Sequence, residues 1–314
     1  MGSGFNKQTS ASRPRKSGWL RRNKEDYFID TFVYLFCTIV LIITLYPFYY
    51  CLVISFNEGK DAALGGILLW PRKFTLENYK IVFENKQLMQ AFGITIARTV
   101  IGTVLSVAAC ALFAYGLALK DLLFKKVYIS ILVFAMFFSG GIIPYFLLLQ
   151  YLHLMNTFWV YIIPNLIGAF TVILMMSFFR ELPQELKEAA KIDGASEFRI
   201  FYQIMMPLSK PVLAAVALFV GVGHWNSWFD SAYFVFDRDL RTASHLLMEL
   251  INKANMTSMA AGMDQREVLE SEKNFTSETI RMATMIVIVT PIVCVYPFLQ
   301  KYFVKGMMIG SIKG

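Results

Sequence analysis

Charge is scarce in this chain. Asp, Glu, Lys and Arg make up 17% of 314 residues, against 56% hydrophobic residues, a balance that excludes an ordinary soluble domain. Histidine is scarcer still. His153, His224 and His245 lie far apart, in no HExxH arrangement. An intramembrane enzyme needs a nucleophile paired with a base, or clustered metal ligands, so we expect no catalytic residue and no metal site. The four cysteines, Cys37, Cys51, Cys110 and Cys294, form no CxxC pair and read as small core residues. A P-loop is missing too. Gly-Lys occurs only as Gly59-Lys60, without the upstream glycine at the needed spacing, so any ATP hydrolysis belongs to another chain. Almost no ionisable residue lies near the middle of the apolar runs, which argues against an ion-coupled secondary transporter.

What is abundant is apolar sequence in lengths that cross a bilayer, about 20 residues each. Six runs stand near 29–55, 91–119, 127–150, 157–179, 211–235 and 280–300, so the fold class is an all-α integral membrane protein with six spans. Arg13, Arg15, Lys16, Arg21, Arg22 and Lys24 precede the first run and hold that end inside. The first run is too long for a signal peptide and has no cleavage site. The division expected is a cytoplasmic tail at 1–26, a six-span transmembrane body at 27–300 and a cytoplasmic tail at 301–314. Within the body, 181–210 falls inside and 236–278 outside. The acids of the last outside loop, among them Asp237, Asp239, Glu267 and Glu278, fit this orientation. The net charge of +8 is then topological and no nucleic-acid partner is implied. The basic tail marks the chain as a multi-pass protein of a cell membrane with both termini cytoplasmic.

Several runs carry local signals. The second is rich in small residues, including Gly93, Gly102, Ala111, Ala114 and Gly116, which permit close helix approach in lipid. In the third, Ser139-Gly140-Gly141-Ile142-Ile143-Pro144 breaks the helical ladder. Such a break is either a pathway-lining hinge or a tolerated kink. The fifth holds Trp225, Asn226 and Trp228. Indole rings stack on sugar faces and Asn serves hydroxyls, while the alternative is an interfacial aromatic belt. Arg98 and Arg281 lie near the outer ends of their runs. They either snorkel to the headgroups or form a cationic vestibule for acidic sugars such as uronides. Outside, Ser244–Ala254 reads as a surface helix, and Met256–Met263 with the acidic stretch to Glu278 as loop, with a second short helix in it as the alternative.

The interruption at 181–210 is long and patterned. Pro183 suits a first helical position. Leu186, Ala189 and Ala190 fall on one side at helical spacing, and two adjacent alanines make that side flat. Gly194 is a stop that takes a left-handed conformation cheaply. Ser196 caps a second helix bearing Phe198, Phe201, Tyr202 and Met205 as one stripe. The product is a helix–turn–helix suited to docking another protein; the bland alternative is a helix resting on lipid.

Glu188-Ala189-Ala190, three residues, Gly194, nine residues, Ile204, then Met206-Pro207 resembles the EAA loop of bacterial ATP-binding-cassette importer permeases. Met206 replaces the family's Leu before the proline. Glu188 to Ser196 resembles the carbohydrate-uptake branch, which includes the maltose permeases. So do Phe74-Thr75-Leu76-Glu77-Asn78-Tyr79 and Gln300–Gly314, and the insert near 244–278 resembles permeases for complex oligosaccharides. The resemblance implies a six-span type I importer permease with a cytoplasmic coupling helix. Glu188, Ala189, Ala190, Asp193, Gly194 and Ser196 would form the ATPase-coupling site, with Glu188 and Asp193 offering carboxylates to the ATPase or bracing the loop. Trp225, Asn226, Trp228, Gly140, Gly141 and Arg98 are the candidate substrate pathway. Implied partners are a second related permease, two copies of a cytoplasmic ATPase that bind ATP and Mg, and an extracellular or lipid-anchored solute-binding protein. The solute would be an oligosaccharide, with a non-sugar solute as the alternative, and this chain itself holds no cofactor.

Overall fold

The computed structural model describes the backbone over residues 24–260 and 277–311, and side chains over 27–252, 278–295 and at 297. The basic tail and 261–276 lie outside the described residues, as do the last three residues of the carboxyl-terminal signature. The chain divides into two units, 1–49 and 50–314. The first consists of most of α1 (Lys24–Ser55), an apolar helix that runs through Pro47.

The second unit begins with the end of α1 and a folded connector. Short helices α2 (Gly59–Ala63) and α3 (Glu77–Glu84) flank an isolated bridge between Asn57 and Phe74. The buried Asn78 amide donates to the carbonyls of Ser55 and Asn57, both at 2.9 Å. The segment that resembles a family loop is thus pinned to the end of α1.

Helix α4 (Lys86–Ala118) follows, capped by Asn85 and packed against α7 (Ala169–Glu181) and α11 (Lys210–Asn226). Its small residues are what permit this. Cys110, Ala111 and Ala114 are fully buried against Val172, Met175 and Phe179 of α7, because close backbone approach, rather than a hydrophobic push, drives association in lipid. Of the four cysteines only Cys110 is buried; Cys37 and Cys294 are exposed and Cys51 lies between.

Among the described residues, three helices are long and apolar enough to cross a membrane. The number rises to six if each of three bent pairs is one span. The bent pairs carry the architecture. Helices α5 (Lys125–Phe137) and α6 (Ile142–Tyr151) meet at 116°, where the Gly140-Gly141 step was expected to break the ladder. Gly141 has φ +85°, a backbone that strains any residue with a Cβ. The fourth run starts as two 3-10 turns, Phe158–Tyr161 and Ile163–Asn165, and bends by 47° into α7. Pro164 and Gly168 account for this, since proline lacks the amide an α-helix needs there. The third bend, 82°, joins the residues after α8 (Gln184–Ile192) to α11. These are α9 (Glu197–Ile200), a π-turn Phe201–Met205 and α10 (Met206–Leu208).

The fifth run also breaks. Helix α11 stops at Asn226 and a separate α12 (Phe229–Phe234) follows. Helix α13 (Ala243–Ala260) corrects two expectations. It runs on from Met256, where a loop was expected, to Ala260, the rest of that stretch lying outside the described residues, and it is no surface helix. Ala243 and Leu246 are buried against α4 and α14 (Ser277–Ser311). The last helix, α14, continues without a break to Ser311, so the stretch from 301 read as a tail is helical for most of its length.

Candidate functional sites: the interhelical loop and a polar cavity

Two places concentrate polar side chains. The first is the loop after α7. Helix α8 starts one residue later than expected, with Pro183 as the cap rather than the first helical residue. Gly194 ends it at φ +77°, and a Cβ there would meet nothing within 4 Å of this chain. Ser196 caps α9 by accepting the Arg199 amide proton at 3.4 Å. The expected flat face is split. Ala190 packs on the core cluster of α4 and α7 while Glu188, Ala189, Asp193 and Gly194 are exposed. The expected aromatic stripe is split as well. Phe201 and Met205 are buried and Phe198 and Tyr202 face outward, and the π-turn Phe201–Met205 interrupts the α-helical spacing the stripe assumed.

What holds α8 in place is a set of residues the sequence did not single out. Lys191 pairs with Glu197 at 2.6 Å, and the Tyr115 hydroxyl donates to the other Glu197 oxygen at 2.6 Å. Lys187 is buried, its ammonium 4.9 Å from the centroid of the Tyr115 ring. Burial pulls the Lys187 ammonium below the usual lysine range, with the Glu197 carboxylate acting against it. Glu197, rather than Glu188 or Asp193, is the carboxylate that braces this loop. Nothing local points to Tyr115, which lies 82 positions before Glu197.

The second place surrounds Arg98. The residue is 1% exposed, so it does not snorkel. Its guanidinium donates through both terminal nitrogens to Asp230, one contact at 3.1 Å and the other shorter, and to the Ser227 carbonyl at 3.1 Å. The Tyr161 ring covers it at 4.6 Å. Asp230 also accepts from the Ser227 hydroxyl and the Ser231 amide. A buried charge needs such pairing. The Arg98 charge expected for a cationic vestibule is therefore matched within the chain.

Arg98 nevertheless lines a cavity of about 300 Å³ with Asn165, His224 and Ser227. His224 packs so tightly on α4 that a Cβ at Gly102 would stand 2.7 Å from its Nε2. A second cavity, about 640 Å³, is lined by Gly140, Gly141, Tyr145, Phe229 and again Asn165. The two expected glycines thus border the larger cavity and Arg98 the smaller, with Asn165 lining both. The indoles line neither. Trp225 is buried and donates to the Ile288 carbonyl at 3.1 Å, bolting α11 to α14. Asn226 is exposed, and Trp228 stands edge-on to Phe229 at 6.0 Å. Among the described residues no group of three His, Cys, Asp or Glu stands ready for a metal.

Residues 11–309 match the family described as the binding-protein-dependent transport system inner membrane component. The chain belongs to that family. It is 37% identical to protein LplC of Bacillus subtilis (strain 168) over 272 residues, covering 87% of this chain and 90% of the relative. It is 33% identical to the polygalacturonan/rhamnogalacturonan transport system permease protein YtcP of the same organism, covering 91% and 98%. A chain in the crystal structure of a bacterial ABC transporter involved in the import of the acidic polysaccharide alginate superposes with a TM-score of 0.81 at 27% identity, covering 90% of this chain and 99% of that one. The importer-permease resemblance carried by Glu188–Pro207 is thereby borne out, as is the helical membrane fold. This permease is a transport component of a membrane.

Proposed function

We propose that this permease is a transmembrane subunit of an ATP-driven importer that moves oligosaccharides inward by alternating access. The observation that carries the reading is the end-to-end likeness to a permease of an alginate importer. The loop from α8 to α10 is the cytoplasmic coupling element and both termini are cytoplasmic. In this reading the exposed Glu188, Ala189, Asp193 and Gly194, with Ala190 beneath and Ser196 capping the next helix, seat α8 on an ATPase subunit. Two such ATPases bind ATP and Mg and do the hydrolysis; this chain is not catalytic. A second permease completes the pathway, and an extracellular or lipid-anchored binding protein delivers the sugar. Gly140, Gly141 and Arg98 border the pathway, whereas Trp225 serves the fold.

Relatives named for the transport of polygalacturonan and the import of alginate support acidic oligosaccharides as substrates. Because Asp230 neutralises Arg98, the acidity would be selected elsewhere, by the binding protein or the partner permease. Co-expression with candidate partner subunits and reconstitution into proteoliposomes tests the reading. Uptake of an oligogalacturonide should require ATP and the binding protein. Uptake that persists without ATP and collapses with the proton gradient would sink it.

A further inference from the structure

Three interruptions of regular helix come together in one place. They are the α5–α6 break at Phe138–Gly141, the 3-10 stretch ending at Asn165, and the α11–α12 break at Ser227–Trp228. Irregular backbone survives at membrane depth only where protein buries it or a wet cavity borders it. Here each interruption borders one of the two cavities, and Asn165 belongs to both. Arg98, at the rim of the smaller cavity, lies twelve positions after Lys86 in α4, roughly 18 Å along that helix.

The chemistry of the walls differs by side. The larger cavity offers aromatic surface. Tyr145 and Phe229 both line it, half-exposed, and both rings are propped by Phe234, at 5.5 and 6.0 Å. The smaller cavity offers hydrogen bonding without net charge. Arg98 is its one permanent cation and is matched by Asp230, while Arg98 Nε has no hydrogen-bond partner. Between them Asn165 presents an amide, able to donate to one sugar hydroxyl and accept from another. A rigid aromatic face beside an uncharged donor–acceptor set is the arrangement a sugar ring requires.

We propose that this subunit carries its own saccharide subsite at the junction of the two cavities. Asn165 hydrogen-bonds ring hydroxyls and a sugar face lies on Phe229 and Tyr145. The subsite reads hydroxyls, not carboxylates, so it accepts an acidic residue and its neutral ester alike. The proposal rests on the oligosaccharide-importer reading above and adds where in this chain the sugar is held.

The test uses the assembled transporter, with both permeases, ATPase and binding protein, and two probes: a radiolabelled tetragalacturonide and its methyl ester. Sugar retained in the permease after vanadate trapping is measured as a function of concentration. Asn165→Ala and Phe229→Ala should each weaken retention about tenfold, the loss of one hydrogen bond or one stacking contact, and equally for both probes. Wild-type retention in both variants overturns the subsite, and a loss confined to the acidic probe overturns its uncharged character. A labelling measurement covers the case in which a variant fails to assemble. Asn165→Cys should react with a water-soluble maleimide, and trapped tetragalacturonide should slow that reaction about tenfold; an unchanged rate overturns the proposal. If the wild-type transporter imports neither probe with ATP, the importer reading itself has failed. If it imports them and the variants behave as wild type, only the subsite has.

Discussion

The ammonium of Lys187 on α8 rests 4.9 Å from the centre of the Tyr115 ring on α4, and the hydroxyl of that same ring donates to Glu197 just beyond the turn. One side chain of the long apolar helix therefore grips both arms of the loop from α8 to α9. If α8 receives force from an ATPase, Tyr115 is where that force reaches the bundle. Tyr115→Phe keeps the cation–ring contact and loses the hydrogen bond; Tyr115→Leu loses both. The hydrogen bond contributes about 1 kcal/mol at this half-exposed carboxylate, the cation–ring contact about as much. Sugar moved per ATP hydrolysed should fall in the order wild type, Tyr115→Phe, Tyr115→Leu. Equal coupling ratios in all three would show that the loop transmits force by another route.

Gly194 separates two demands that usually coincide. Its φ of +77° strains any residue with a side chain, yet a Cβ would touch nothing in this chain. Alanine there costs roughly 1 kcal/mol of local strain, and asparagine, which tolerates the left-handed region, costs less. If Gly194 matters only for the turn, Gly194→Asn should support transport better than Gly194→Ala. If it matters because an ATPase backbone comes close, the larger Asn should be the worse of the two, and co-purification of the ATPase should fall with side-chain volume. We expect the second order.

The Arg98–Asp230 pair is buried and carries three further hydrogen bonds. Removing one partner strands the other charge, at a cost of about 3–5 kcal/mol. Arg98→Leu and Asp230→Leu should each reduce the yield of folded permease in detergent sharply. The double variant should recover much of it, since two apolar side chains leave no charge unmatched. If the double variant is as poor as the sum of the singles, the pair is not the unit that the geometry indicates.

How much of this was legible in the sequence follows from the range of the interactions. Local signals were readable. The Gly-Gly break, the Gly194 stop and the Ser196 cap depend on residues within four positions of each other, and the structure places all three where the spacing put them. The Glu188–Pro207 spacing likewise carried the family. Long-range pairings were not readable. Asp230 lies 132 positions from Arg98 and Glu197 lies 82 from Tyr115, and no periodicity links such pairs. Composition also misdirected at one point. Trp225 and His224 are adjacent in sequence, yet α11 turns one onto α14 and the other toward the polar cavity. The adjacency of Trp225 and Asn226 therefore placed neither of them at the cavities.

Acidity should loosen the segment after α12. His245 of α13 is buried, its Nδ1 3.0 Å from the Ser231 hydroxyl, which also accepts the Thr242 amide proton. Glu249 lies 3.6 Å from its Nε2 and itself accepts from Arg241 at 2.9 Å. Burial holds the imidazole below its ordinary value; Glu249 pulls the other way and Arg241 reinforces the depression. A histidine depressed in the folded chain binds protons more readily when unfolded. Its contribution is therefore complete above the unfolded value, about 6.5, and is lost as pH falls from there through the lower folded value. Thermal melts in detergent between pH 8 and pH 5 should show wild type losing more stability on acidification than His245→Gln, which keeps a polar group and cannot titrate. Parallel curves for the two proteins would mean that proton uptake by His245 does not open this segment.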